Sequence, residues 1–397
     1  MTSSRSALQW SSLIVSVVTT VASVLPAFLT GALAVQLRAE LDFDATRLGL
    51  AVAAFFAVGA LGSAALGHLT ERLGARRAMT ISLSGTTLAC VSIATMAHSW
   101  TSLAVPLMVA GGANALAQTS ANQLLGRTAA DDRLIFSVSV KQAGMPSATL
   151  LAGLAVPGLA QTVGWRWAYA AAAALAVAAL VVVRRTELRP RPHPEGARPR
   201  PDLDRATFVV LAAAVACGAY LAGALASWTV SSAEAAGISP GGAGLLLAGG
   251  SALGITSRLV MGDWADRRGG PVLPIVAAMV LVGAGGLVIV AFGTPASAIV
   301  GSILGFMAGW AWPGLFNGTV IRENPTAPGA ATGITQTGTY IGVVLGPVLT
   351  GLLVDGPGYA AGWLMAATIG VVAAGLMLVA QRRLQANVRA SGSPATT

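Results

Sequence analysis

The chain has 397 residues, 55% of them hydrophobic and only 10% charged, with a formal net charge of +9. A soluble domain carries about 25% charged residues, so this composition excludes an ordinary water-facing surface. The basic excess alone would suit a nucleic-acid binder, but its placement along the chain excludes that partner.

Twelve apolar runs are predicted as spanning helices: 12–35, 47–68, 78–97, 101–125, 135–160, 167–185, 206–229, 241–262, 272–292, 297–321, 330–354 and 361–381. Each has roughly the 20 residues that cross about 30 Å of hydrocarbon at about 1.5 Å per residue. The first run is too long for a cleavable signal peptide and lacks a small-residue exit, so it is expected to stay as span 1. With the N-terminus in the cytoplasm, nineteen of the 24 basic residues fall in cytoplasmic segments. Only Arg38, Arg47 and Arg166 fall outside, and Lys141 and Arg258 lie within spans. That bias follows the positive-inside rule. It predicts a multi-pass protein of the plasma (inner) membrane with both termini in the cytoplasm.

After span 2 comes Gly67-His68-Leu69-Thr70-Glu71-Arg72-Leu73-Gly74, followed by Arg76 and Arg77. After span 8 comes Gly262-Asp263-Trp264-Ala265-Asp266-Arg267-Arg268-Gly269, in which Gly262, Asp266, Arg267 and Gly269 repeat the first copy 195 positions on. The same offset carries Asn122 to Asn317 and Arg127 to Arg322. Two homologous halves are the architecture of an alternating-access carrier. The boundaries are 1–185 and 206–397, joined by a linker at 186–205 whose proline and arginine density predicts an extended, solvated tether.

Polar groups inside spans are costly and by default mark substrate or ion routes. In span 4, Asn114, Gln118 and Asn122 recur at i, i+4 and i+8 and form one stripe. The stripe must face protein or a water-filled cavity, which leaves substrate contact and interhelical hydrogen bonding both open. Lys141, the sole lysine, lies in span 5, and Arg258 lies four residues before Gly262 in span 8. No acid lies near a midplane, so a bound anion is a natural partner for these two cations. The alternative is that both side chains snorkel to the interface, or that Arg258 pairs with Asp263 or Asp266. Trp310, Trp312, Phe316 and Asn317 surround Pro313 in span 10; they line a pocket, form a gate where proline breaks the helix, or simply pack. Gln142 and Gln336 occupy matching places in the two halves and are candidate cavity groups, with Tyr340 a weaker one. Cys90 and Cys217 lie in apolar runs and are expected in the core.

These motifs resemble those of the major facilitator superfamily over essentially the whole chain. The loop after span 2 is similar to that family's G-x-L-x-D-R-x-G-R-R signature, with Glu71 in the acid position. Four segments resemble bacterial carriers of the cyanate and nitroimidazole type: Val140–Pro146, Gly164–Ala168, Trp310–Phe316 and Ala331–Gly338. The resemblance implies an all-α integral membrane fold of twelve helices in two pseudo-symmetric six-helix bundles. It also implies spans 5 and 8 side by side at the interface between halves, and a cavity lined by span 4. The signature residues Gly67, Glu71, Arg72, Gly74, Arg76, Gly262, Asp266 and Arg267 would then latch the cytoplasmic side; the alternative is that the arginines only fix topology.

The expected activity is secondary active transport of a small solute, with anion uptake or exchange favoured. Efflux of an apolar or aromatic drug is the alternative, and a non-transporting sensor or channel the remote one. A coupling proton or ion and a monomeric state are expected. With one lysine no G-x4-G-K-[ST] loop exists, and His68, His98 and His193 sit in separate loops, so no enzyme activity, cofactor or metal is expected.

Overall fold

A computed structural model describes residues 2–43, 45–160, 162–187 and 201–390. Most of the linker, 188–200, lies outside them, and with it the tether expected there. The elements are all helical, in the order α1 (Thr2–Ala32), α2 (Ala34–Leu41), α3 (Ala45–Leu73), α4 (Ala75–Met96), α5 (Trp100–Thr128), α6 (Leu134–Gln142), α7 (Gly144–Ala155) and α8 (Trp165–Arg185). They continue with α9 (Arg205–Ala235), α10 (Pro240–Arg268), α11 (Leu273–Val290), α12 (Pro295–Leu304), α13 (Pro313–Arg322), α14 (Pro328–Asp355) and α15 (Tyr359–Ala390). Among the described residues twelve stretches are long and apolar enough to cross a membrane, as the hydropathy pattern predicts.

Two spans are broken. Span 5 is α6 and α7, extended by a π-helical turn at Val156–Ala160. Span 10 is α12, a π-helical turn at Gly305–Gly309, and α13, which restarts at Pro313. Proline restarts a helix without loss because the first amides of a helix have no internal partner.

By packing, the chain divides into two compact units: Met1–Asp202 with Asn324–Gly333, and Leu203–Glu323 with Ile334–Thr397. In the first, α1 packs on α5, α7 and α8, and α5 packs on α3 and α4. Its apolar core has two parts: one around Leu29, Leu33, Leu107 and Tyr169, the other around Met79, Leu83, Leu124 and Val183. In the second unit α15 packs on α9 and α11. There the stripe Gly338, Gly342, Gly346 lies on α9: an added Cβ would stand 2.2, 2.1 and 2.4 Å from the carbonyl oxygens of Ala212, Ala216 and Tyr220. Small residues let helix backbones approach closely in lipid, so that stripe serves contact with span 7.

Local signals place the ends. Ser99 and Thr294 form capping boxes with Ser102 and Ser297, and Asp204 caps α9 through the amide of Thr207. Gly74 and Gly269, equivalent in the two signature copies, have φ of 78° and 66°. L-residues avoid that region, so each glycine ends its helix in the same way.

Candidate functional site

The first signature copy forms a buried site. Glu71, at the end of α3, has a fully buried side chain, and one carboxylate oxygen pairs with Arg127 Nη2 at 2.5 Å. The same oxygen accepts from Gln123 Nε2 at 2.7 Å, while Oε1 accepts from the Gly329 amide at 2.6 Å. Gly329 lies in the first turn of α14. There Ala327, whose carbonyl accepts the first helical bond from Ala331, has no side-chain oxygen to cap the helix. Glu71 supplies the cap from another helix, with a negative charge at the positive end of the helix dipole.

Gly67 makes that approach feasible. An added Cβ would stand 2.7 Å from the Gly329 carbonyl oxygen and 3.1 Å from Gly333 Cα. Arg76 donates to the carbonyls of Val183, Arg184 and Thr186 at the end of α8, and Arg72 is exposed.

A second polar site sits within the spans of the same unit. Lys141 is fully buried. Its Nζ donates to the side-chain carbonyl of Gln118, and to that of Gln142 at 3.4 Å. Gln118 Nε2 lies 3.4 Å from Asn114 Oδ1, which also accepts from Ser23 on α1 at 3.1 Å. The span 4 stripe is therefore a connected amide ladder between α1 and α6, closed by an ammonium. Asn122, the next rung, is fully buried, and neither amide atom has a hydrogen-bond partner among the described residues. The hydroxyls of Ser16, Thr19 and Thr20 on α1 and of Ser139 on α6 are buried without partners as well.

In the second unit Arg258 donates from Nε and Nη2 to the Trp310 carbonyl at 3.2 and 2.5 Å, and its guanidinium lies 5.3 Å from the centre of that indole ring. The break in span 10 leaves this carbonyl available. Span 8 reaches it through a face of small residues: an added Cβ at Gly250 would meet the Phe306 ring at 2.4 Å, and one at Gly254 the Phe306 carbonyl oxygen at 3.2 Å. Trp312 and Phe316 are buried, edge to face at 5.9 Å. Trp312 packs against Gly218 of α9, where an added Cβ would stand 2.7 Å from its ring. Asn317, Gln336 and Tyr340 are buried.

In the second signature copy Gly262 is buried, Asp266 is half-buried, and the exposed Arg267 pairs with Asp263 at 2.7 Å. Gln123, Gly329, Ser23, Gly250 and Gly254 are functional-site neighbours that the motifs do not single out. The spacing of Gly250, Gly254 and Arg258, four residues apart each time, is a signal that could have found two of them. Arg127 was visible only as a repeated arginine. Among the described residues no His, Cys, Asp and Glu side chains gather into a set able to hold a metal ion.

The sequence profile described as Major Facilitator Superfamily matches residues 12–320 and again 208–395. The chain belongs to the Major Facilitator Superfamily. It is accordingly an integral multi-pass membrane transporter that moves a small solute by alternating access, and not an enzyme. Among solved structures it is similar to FucP, a transporter of the same superfamily in the outward conformation, with 15% identity, a TM-score of 0.74, and 94% of this chain and 98% of that chain covered. It is also similar to the proton:xylose symporter XylE (14% identity, TM-score 0.76, 94% and 96% covered). A third similar structure is the human organic anion transporter MFSD10 (16%, 0.70, 95% and 99%). At these identities the likeness concerns the fold. No curated protein matches the sequence significantly.

Proposed function

We propose that the transported solute is a small organic or inorganic anion and that Lys141 is its counter-charge. The observation that carries this is the fully buried ammonium, held by neutral amide carbonyls of Gln118 and Gln142 and by no carboxylate among the described residues. An ion taken out of water without a partner costs several kcal/mol, and a bound anion offsets that cost. Asn114, Gln118, Asn122 and Gln142 then line the route. The Asn122 amide, without a partner among the described residues, supports a ligand or water contact, since an unsatisfied buried group costs about 1–3 kcal/mol.

Arg258 is a second anion contact in the other unit, with Trp310, Trp312, Phe316, Asn317, Gln336 and Tyr340 as the groups that shape its surroundings. The halves are 1–185 and 206–397 on either side of the 186–205 linker. The basic-residue bias supports cytoplasmic termini in a plasma membrane, and the chain works as a monomer coupled to a proton or another ion. The segments around Lys141 and Trp310 support a place in the cyanate and nitroimidazole-type branch. Glu71 and its partners latch the cytoplasmic side and part as the carrier opens inward.

Thermal unfolding of the purified protein against a panel of small carboxylates, cyanate, nitrate and lipophilic cations tests the substrate class. Protection by an anion in the wild type, lost in Lys141→Ala and weakened in Arg258→Ala, is the expected result. Protection by lipophilic cations alone, or anion protection that survives both substitutions, overturns the proposal in favour of drug efflux or of sites elsewhere.

A further inference from the structure

The chain is pinned at both edges of the 188–200 stretch, and both pins lead to the signature site. On the near side Arg76, a signature residue, holds the last carbonyls of α8. On the far side the exposed Asp202 binds the loop ahead of α14 three times. Its amide donates to Asn324 Oδ1 at 3.0 Å, and its carboxylate accepts from the Thr326 amide at 3.2 Å and the Thr326 hydroxyl at 2.9 Å. Asn324 is fully buried. Three residues after Thr326 the Gly329 amide reaches Glu71.

Fixing a free loop costs about 1–2 kcal/mol per residue, and burial of Asn324 and Ala327 offsets part of it for the segment 324–328. Asp202 adds three hydrogen bonds to the same segment, and its own position is of no use to the core, since it is exposed. We propose that Asp202 is a positioning residue of the latch: it fixes the loop 324–327 so that the first turn of α14 presents Gly329 to Glu71, which makes the end of the linker a working part of the gate. This rests on the latch role of Glu71.

Ser63 reports on the contact. It is fully buried, and its carbonyl lies 2.6 Å from where a Cβ on Gly333 would sit, so the second turn of α14, continuous with the turn that carries Gly329, covers it. In the full chain with Cys90→Ala and Cys217→Ala, Ser63→Cys is labelled with a membrane-impermeant maleimide in inside-out vesicles. Asp202→Ala is expected to speed labelling about tenfold, the factor that a lost hydrogen bond to a charged group supports, and Glu71→Gln at least as much. Asp202→Asn, which keeps an acceptor for Thr326, is expected to fall between. Thr326→Val, which keeps the side-chain shape and so serves if Asp202→Ala fails to fold, should speed labelling about threefold. The double variant Glu71→Gln/Asp202→Ala should label no faster than Glu71→Gln, because both act on one contact. A wild-type rate in Asp202→Ala or Thr326→Val, or additive effects in the double variant, overturns the proposal while leaving the latch intact. A wild-type rate in Glu71→Gln removes the latch itself, and the role of Asp202 falls with it.

Discussion

The two signature copies share two glycines and an arginine at one offset, with Glu71 matched by Asp266, yet they spend them differently. Glu71 has a side chain with no exposure, and Arg127, Gln123 and an amide of α14 converge on it. In the second copy Arg267, with its side chain 74% exposed, turns back one helical turn to Asp263. Arg322, the counterpart of Arg127, donates to the carbonyl of Gly270 at 3.3 Å. What the copies keep in common is the backbone: a glycine at positive φ after the helix. A duplicated motif thus preserves the turn, while burial decides which charges hold structure.

The largest expected effect follows from that burial. Removing one partner of a buried ion pair leaves the other uncompensated and costs about 3–5 kcal/mol. Arg127 retains 13% side-chain exposure, so Glu71→Ala should fall toward the lower end of that range. Asp263→Ala, which breaks an i,i+4 pair whose arginine is exposed and whose acid is half-buried, should cost less, about 1 kcal/mol at most. Chemical denaturation of the two variants in detergent measures the gap. Equal losses would mean that the copies are energetically equivalent and that burial is the wrong discriminator.

Glycine substitutions sharpen the same contrast. Gly67→Ala puts a Cβ 2.7 Å from a backbone oxygen of the segment that Glu71 caps; backbone cannot yield as a side chain does, and overpacking of this kind costs about 1–3 kcal/mol. Gly74→Ala meets nothing within 4 Å, but its φ of 78° with ψ of 152° is a region essentially reserved for glycine, and a Cβ there costs about 1–3 kcal/mol. Gly269→Ala, with φ of 66° and open space around it, should match Gly74→Ala. Unfolding midpoints of the three variants should all fall below wild type, with Gly74→Ala and Gly269→Ala together. A clear difference between Gly74→Ala and Gly269→Ala would show that the shared turn is not doing the same thing in both copies.

The spans were legible because lipid enforces their composition: a helix that must bury every backbone group in hydrocarbon cannot hide its length. The repeat was legible for a similar reason, since loop glycines and arginines answer to local turn geometry and to topology. The break in span 10 could be read from Pro313. The break in span 5, at Ala143 between α6 and α7, carries a weaker marker, Gly144 with Pro146 two residues on. Partners of the polar groups were legible only as far as helical spacing reaches. Asn114 and Gln118 declared themselves by their i, i+4 interval, whereas the Glu71–Gly329 bond joins residues 258 positions apart. Arg258 offers the sharpest limit: its acceptor is a main-chain carbonyl of Trp310, and no residue type announces a free carbonyl.

The smallest expected effect concerns an acid of the same unit at the opposite extreme of exposure. Glu40 has a 48% exposed side chain and binds Arg166, which also donates to the Ala97 carbonyl, and Trp165 Nε1 at 2.5 Å. The hydrogen bond from Arg166, followed by that from Trp165, outweighs desolvation and holds the Glu40 carboxyl below its ordinary 4.5. A carboxylate with a depressed folded pKa adds stability above the unfolded value and loses it as the pH falls through the folded one. Solvent screening keeps this contribution below about 1 kcal/mol. Glu40→Gln should therefore melt slightly below wild type at pH 7, with the gap closing as the pH falls below about 4.5. A gap that persists undiminished at pH 3 would assign the contact to the shape of the Glu40 side chain rather than its charge, and exposure would then say less about electrostatic value than the two signature copies suggest.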